Sequence, residues 1–297
     1  MHTAPRIPLA LVVTADDFGI GVGTSRGIIR AHRQGPVTAT SLMTITGQHV
    51  RASVGLLADA PDLDVGLHVV LTDCGHPPLV AGQSSGLVGR DGRFLSNGRL
   101  WRKAFSGRLN QAAVAEEIAA QAELFHELLG RRPAFVDGHH HAHQLPIIRD
   151  ALLGVIRQGL LPPVTRITVE APKMIWRAPS AGVKRLAAHF LGRCAAPTFR
   201  RHGLFTNDFY FGILAPRLLR RDFPWQGFLN QLPDSGVMEW VVHPGMADDT
   251  LIGRDDYRAG RVKELESLTH PQGVEAWGHL RQNLTRKSLL QSLALGR

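Results

Sequence analysis

The sequence predicts an α/β protein built on a mostly parallel sheet with helices packed outside it. Two observations carry this reading. Apolar, β-branched runs alternate with stretches of helical periodicity, and the polar residues capable of chemistry fall at the carboxyl ends of those runs, the edge where parallel α/β sheets carry their sites. A length of 297 residues fits either two ordinary domains or one large barrel. No repeat of fixed period and no long interdomain linker divides the chain.

Taken in order, residues 8–14 (PLALVVT) form a strand that stops at Ala15-Asp16-Asp17-Phe18-Gly19, and its unbroken apolar character suits a strand covered on both faces. A helix over 24–34 follows, with Ile28, Ile29, Ala31 and His32 ahead of Gly35, a residue suited to a helix end. TATSLMTIT (38–46) is a second strand, HVRASVGLLADAP (49–61) is helical, and DVGLHVVLT (64–72) is a third strand with His68 inside it. Residues 73–110, rich in Gly, Pro and Ser, read as loop, with Arg90-Asp91-Gly92-Arg93 as a turn. Val114, Ile118, Ala122, Phe125 and Leu129 recur at spacings of three and four, which makes 112–129 a helix, closed by Gly130. PAFVDGHHHAHQLP (133–146) is a strand running into a histidine-loaded loop, 147–158 a helix, VTRITVE (164–170) a strand, and VMEWVV (237–242) a late strand ending at His243-Pro244-Gly245.

Composition narrows the class. With 44% hydrophobic and 20% charged residues, the chain lies far from disordered compositions. The start reaches Asp16-Asp17 before its apolar run is long enough for a secretory core, and no later stretch approaches the roughly 18 apolar residues of a membrane span. Cys74 and Cys194 allow at most one disulfide, which points to a reducing compartment, so a soluble, cytoplasmic protein is expected. The net charge of +9 fits an anionic partner or simply a solvated surface. The 15 histidines outnumber Trp and Tyr together, and a chain this rich in imidazole can be using some of it on metal.

Three features concentrate that chemistry. Adjacent carboxylates at Asp16-Asp17 repel unless a cation or proton relieves them, so one can bind metal while the other acts as a base; equally, one caps a helix and the other is solvated. His68, flanked by apolar residues, reads on its own as a hydrogen-bonded core residue. Asp137-Gly138-His139-His140-His141-Ala142-His143 is stronger, since four imidazoles in five positions mean metal or proton transfer far more often than packing. On a strand end His139 and His141 point one way and His140 the other; on a helix His139 and His143 share a face. His243, held extended by Pro244, suits a proton donor and a plain strand terminator about equally. An Asp, His, His set is a mixed ligand group that leaves metal positions open, the mark of a catalytic site.

TADDFG, GLHVVLT, DGHHHAHQLP and EWVVHPG, in this order and at these intervals, resemble the YdjC-like carbohydrate deacetylases. The likeness runs through TSLM (40–43), VGRDGRF (88–94), ELLGRRPAFVDGH (127–139), TRITVEAP (165–172) and TNDFYFG (206–212) and covers roughly 8–250. The last two stretches look most like the branch associated with hopanoid lipids, while Asp137-Gly138-His139-His140 is closer to the oligosaccharide enzymes. The resemblance implies a distorted TIM-like (β/α) barrel, with residues 1–297 as one domain carrying a basic helical insert near 173–203 and a helical C-terminal tail. It further implies one divalent metal, Mg or Zn, on Asp17, His68 and His139, Asp16 as catalytic base, His243 as general acid or oxyanion stabiliser, and removal of acetyl groups from N-acetylated sugars.

Beside that set, Arg166 sits on a strand facing the same site and could orient the catalytic Asp or the substrate, or make a surface ion pair. Asn207 and Asp208 could bond sugar hydroxyls, and Phe209, Tyr210 and Phe211 could stack on a ring, although aromatics there are more often core. Between Lys173 and Gly203 the chain carries Lys173, Arg177, Lys184, Arg185, Arg193, Arg200 and Arg201 and no acid. Val183, Leu186, Ala187, Phe190 and Leu191 make the apolar stripe of a basic helix that either docks on the barrel, the favoured reading, or lies on an anionic membrane. The expected partner is an acetylated sugar or glycolipid and not nucleic acid, with peripheral membrane contact and a homodimer left open. The rival is a non-catalytic basic protein that binds nucleic acid or membrane with incidental histidines, which would not require the ordered acid and histidine set.

Overall fold

In the computed structural model, the described residues are 10–171, 182–212, 227 and 229–280. Six parallel strands form one sheet in the order β4-β3-β2-β1-β6-β5. They are β1 (Ala10–Phe18), β2 (Ala39–Leu42), β3 (Asp64–Val69), β4 (Val136–Gly138), β5 (Phe209–Phe211) and β6 (Val237–Val242). The two edges of this sheet are joined through residues 164–170. Val136 N–H donates to Val164 O (2.9 Å), Thr165 N–H to Phe205 O (3.0 Å) and Tyr210 N–H to Val169 O (2.7 Å). Single parallel bridges Val136↔Thr165, Val164↔Phe205 and Glu170↔Tyr210 therefore close the sheet into a distorted barrel. The strand expected over 164–170 is thus a bridging segment and not a regular ladder. The side chains of Thr165 and Asn207 take backbone partners along it, Thr165 Oγ1 on Val136 O and Asn207 on Ile167 N–H and O.

β1 and β6 are buried at every position, which accounts for their near-continuous apolar runs. Helices wrap the sheet: α1 (Val22–Gln34), α2 (Gln48–Val54), α3 (Asn97–Phe105), α4 (Gln111–Leu129), α5 (Ile148–Arg157), α6 (Gly182–Arg201), α7 (Arg258–Thr269) and α8 (Pro271–Leu280). Asn110 caps α4 by accepting from Ala112 N–H and Ala113 N–H, and Gly130, in the left-handed region at φ 65°, ends it. The stretch 73–110 is not all loop, because α3 lies within it; Leu100 and Ala104, one turn apart, are its only buried positions, too narrow a stripe to announce a helix. Two polar residues of α4 are fully buried for a reason. Gln121 bonds both Val70 N–H and Val70 O, and the Glu117 carboxylate accepts from the N–H groups of Leu79, Val80 and Ala81. The helix thereby pins the chain that leaves β3.

α6 docks on the barrel, as favoured, but only Leu191 of the expected stripe is buried in that contact. Arg185, Ala188, Leu191, Gly192, Ala195, Ala196 and Phe199 are buried, whereas Val183, Leu186 and Phe190 are exposed. Gly192 is required for this approach, because a Cβ there would stand 2.7 Å from Thr168 backbone. Arg185 is no surface charge: its guanidinium grips Glu170 at 2.6 Å. Residues 173–181 of the basic segment and 281–297 of the tail lie outside the described residues. Cys74 and Cys194 are both free thiols, and no helix among the described residues is long and apolar enough to cross a membrane.

Candidate metal centre

Parallel strands bring their carboxyl ends to one rim, and four of them deliver the site. β1 supplies Asp16 and Asp17, β2 Ser41, β3 His68 and β4 Asp137 with His139 immediately after it. Neighbouring side chains on a strand ordinarily face opposite ways. Here the β1–β2 register shifts between Ala15 and Phe18, and Asp17 sits at φ 70°, an unusual backbone for a residue other than glycine. This kink lets both carboxylates serve the same rim.

Asp17 Oδ1 is buried and has no hydrogen-bond partner. His68 Nε2 lies 3.3 Å from it and His139 Nδ1 3.2 Å, and the three form a group able to hold a metal ion. Donors about 2.0–2.2 Å from one ion, at angles near 90–109°, stand roughly 3.0–3.5 Å apart, so these spacings fit a metal ion between them. The second oxygen of Asp17 is occupied: Arg261 on α7 donates to Oδ2 at 2.6 Å while its Nε holds Asp255, also at 2.6 Å. Burial alone would raise the Asp17 carboxyl, but Arg261 and the two imidazoles hold it well below the usual range.

His68 is aimed by Asp137, whose Oδ1 lies 2.6 Å from Nδ1. Ser41 Oγ is 3.0 Å from the same nitrogen and donates to Asp16 Oδ1 at 2.9 Å. With its Nδ1 proton on a carboxylate, an imidazole presents the Nε2 lone pair outward, the usual support of a metal-binding histidine. Burial pulls the His68 ring down, yet Asp137 and Asp16 push it up to about 10 in the absence of metal.

Beneath this triad lies a buried ionic cluster centred on Arg166. Its Nη1 and Nη2 bind the two oxygens of Asp16 at 2.7 and 2.8 Å, Nη2 also reaches Asp137 Oδ2 at 2.7 Å, and Nε donates to Glu239 Oε1 at 2.9 Å. Burial raises the Asp16 carboxyl, but Arg166, His68 and His243 together hold it far below the ordinary value. Glu239 is pushed up, first by burial and against the pull of Arg166. Asp16, His68 and Asp137 also satisfy the geometry of a metal group, but the guanidinium between the two carboxylates already supplies that cation. Arg166 is therefore neither the surface ion pair nor the substrate contact among its expected roles; at 2% exposure it faces Asp16 alone among the reacting candidates.

The other expected residues divide. His243 follows β6 directly, its backbone N–H held by Glu264 Oε2 and its ring 5.7 Å from that of Tyr257; its charge is felt at Asp16. Asn207 is no sugar ligand: its amide is spent on Ile167 N–H and O and on Phe209 O. Asp208 lies at the amino end of β5, on the rim opposite the site, where it accepts from Val237 N–H. The histidine cluster follows neither strand alternation nor a regular helix. His140 and His141 both have left-handed backbone (φ 55° and 59°), so each ring goes its own way: His140 to Thr72 Oγ1 (2.9 Å), His141 to the Tyr210 hydroxyl (3.2 Å) and His143 to Arg166 O (2.9 Å).

Sequence reasoning gave no role to Asp137, Ser41, Glu239, Arg261 or Glu264. Glu239, an acid inside the apolar strand VMEWVV, and Asp137, at the head of the histidine cluster, are visible signals; Arg261 has none. Because Arg261 neutralises Asp17, Arg261→Met should lower the melting temperature of the metal-free protein, as removing one partner of a buried pair costs about 3–5 kcal/mol. A divalent ion replaces the lost charge, so the metal-induced rise in Tm should be larger in the variant than in the parent. Equal rises in calorimetry would uncouple Arg261 from the metal site.

A family model described as YdjC-like protein matches residues 10–277. The chain is 30% identical over 269 residues to the chitooligosaccharide deacetylase of Enterobacter sp. (strain 638), covering 88% of this chain and 91% of that one. It is 32% identical over 276 residues to the protein of that name from Yersinia enterocolitica, covering 91% and 95%. In fold it resembles the crystal structure of a candidate cellobiose-phosphate cleavage protein of Enterococcus faecalis V583, with a TM-score of 0.73 at 22% identity over 96% of this chain and 98% of that one. The match spans β1 to α8, and the chain belongs to the YdjC-like family.

Proposed function

We propose that this chain is a metal-dependent hydrolase that removes the acetyl group from an N-acetylated sugar. The observation that carries the proposal is the orphaned Asp17 Oδ1 with His68 Nε2 and His139 Nδ1 converging on it, supported by relatives named chitooligosaccharide deacetylase. Two imidazoles and one carboxylate suit a zinc-class ion better than magnesium, which prefers oxygen ligands. Such an ion supplies Lewis acidity toward the acetyl carbonyl and an acidified water.

The protein's own groups do the rest. Asp16, kept ionised by Arg166, accepts the proton of the attacking water. The amide C–N bond then breaks, acetate departs, and His243 delivers a proton to the leaving nitrogen, each transfer contributing about 10²–10⁴-fold. The substrate within this class is an amino-sugar oligosaccharide or a glycosylated hopanoid lipid.

Mass spectrometry for loss of acetyl across acetylated oligosaccharides and glycolipids, with metal and with chelator, tests the reading. Asp17→Asn, His68→Ala and His139→Ala should each lose metal, read by elemental analysis, and turnover by about 10³-fold or more. A variant of this triad that keeps both refutes the assignment.

A further inference from the structure

We propose that the exposed face of α6 docks the protein on an anionic lipid surface. Val183, Leu186 and Phe190 are 84%, 57% and 64% exposed, and at spacings of three and four they form a single stripe on one side of the helix. The opposite side is used by the barrel, through Ala188, Leu191, Gly192 and Phe199. The stripe is therefore left over after docking and is not needed for it.

Charge selects the occupant. Residues 182–201 contain no Asp or Glu, and Lys184, Arg193, Arg200 and Arg201 are exposed on the same helix. Arg193 continues the stripe three residues beyond Phe190. Apolar side chains flanked by basic ones fit the boundary between anionic headgroups and acyl chains. A second copy fits poorly, since a self-complementary contact would bring these cations together with no acid on the helix to relieve them. Three apolar side chains are also far fewer than the roughly 20–30 residues a side of a stable interface.

Placement links this surface to the site. α6 runs against the strand direction: Arg185 grips Glu170 at the end of the bridging segment, whereas Arg200, fifteen residues on, contacts Thr206 and Asp208 at the amino end of β5. The stripe lies in the half of α6 nearer the site rim, close to the segment that bridges to Tyr210 and so to His141. Docking through it holds that rim toward the bilayer. The proposal does not depend on the reaction assigned above.

Flotation of the full chain with phosphatidylcholine vesicles, with and without about 30% phosphatidylglycerol at low salt, tests it. The protein should float with the anionic vesicles and stay behind with the neutral ones. Val183→Ser/Leu186→Ser/Phe190→Ser should lower anionic binding about tenfold or more with a melting temperature little changed, because all three side chains are mostly exposed. Absence of binding to anionic vesicles, equal binding to neutral ones, or wild-type binding by the triple variant overturns the proposal. So does a dimer in sedimentation that the triple variant dissolves, which would make the occupant a second copy.

Discussion

Asp16→Asn should reduce turnover by about 10²–10⁴-fold and leave the bound metal in place. The expectation follows from how β1 divides its two carboxylates. Asp17 Oδ1 belongs to the triad with His68 and His139, whereas both oxygens of Asp16 are taken by Arg166 and Ser41. The substituted carboxamide is nearly the same size, and its carbonyl oxygen can still accept from Ser41 or Arg166, so the ligand cluster keeps its shape. What is lost is the carboxylate charge that the proposed proton transfer from the attacking water requires. The matched change one residue on, Asp17→Asn, removes a ligand and should cost metal and turnover together. Turnover measured at saturating metal, with metal content read on the same sample, separates the two. Near-normal turnover of Asp16→Asn would show that the proton goes elsewhere; loss of metal would place Asp16 in the coordination shell.

Much of the strand-end pattern is legible in the sequence, and the limits have physical causes. Strand ends with polar residues were visible because doubly buried strands are nearly all apolar, so Asp16, Asp17, His68 and His243 stood out against Val, Leu and Ala. The barrel's closure was harder to read. VTRITVE has strand composition, but its residues 164–170 make only isolated bridges to β4 and β5, and irregular pairing leaves no period. The α6 stripe is only partly right: Leu191 is buried, but Val183, Leu186 and Phe190 are exposed, because the docking face relies largely on small residues, Ala188, Gly192, Ala195 and Ala196, that allow close approach. Hydrophobic periodicity weighs size and not closeness. Arg166 reaches Glu239 across 73 residues and Asp16 across 150, and Arg261 reaches Asp17 from 244 residues away. Such partners are set by topology, and no local pattern announces them.

Arg166 is where the largest loss of stability is expected. Its guanidinium is the shared counter-ion of Asp16, Asp137 and Glu239, all within 2.9 Å and all buried with it. Arg166→Met removes the cation and leaves three buried carboxylates without their shared counter-ion. Breaking a buried pair in this way costs about 3–5 kcal/mol, a large share of the roughly 5–15 kcal/mol that keeps a domain folded. The melting temperature should fall by about 10 °C or more, and Glu239, already pushed up, should take up a proton and limit the loss. Arg166→Lys keeps a charge but cannot span three carboxylates with one ammonium group. It should fold and bind metal while turning over more slowly at unchanged KM. Because Arg166 is what holds the Asp16 carboxyl down, its pKa rises in the Lys variant, and the acid limb of the rate profile should move to higher pH. The same pair contributes stability that is complete above the ordinary carboxylate value of about 4 and is lost only as pH falls toward the depressed value of the folded state, so the parent should resist acid that unfolds the Lys variant. Identical acid limbs and identical acid unfolding would remove Arg166 as the group that positions and ionises Asp16.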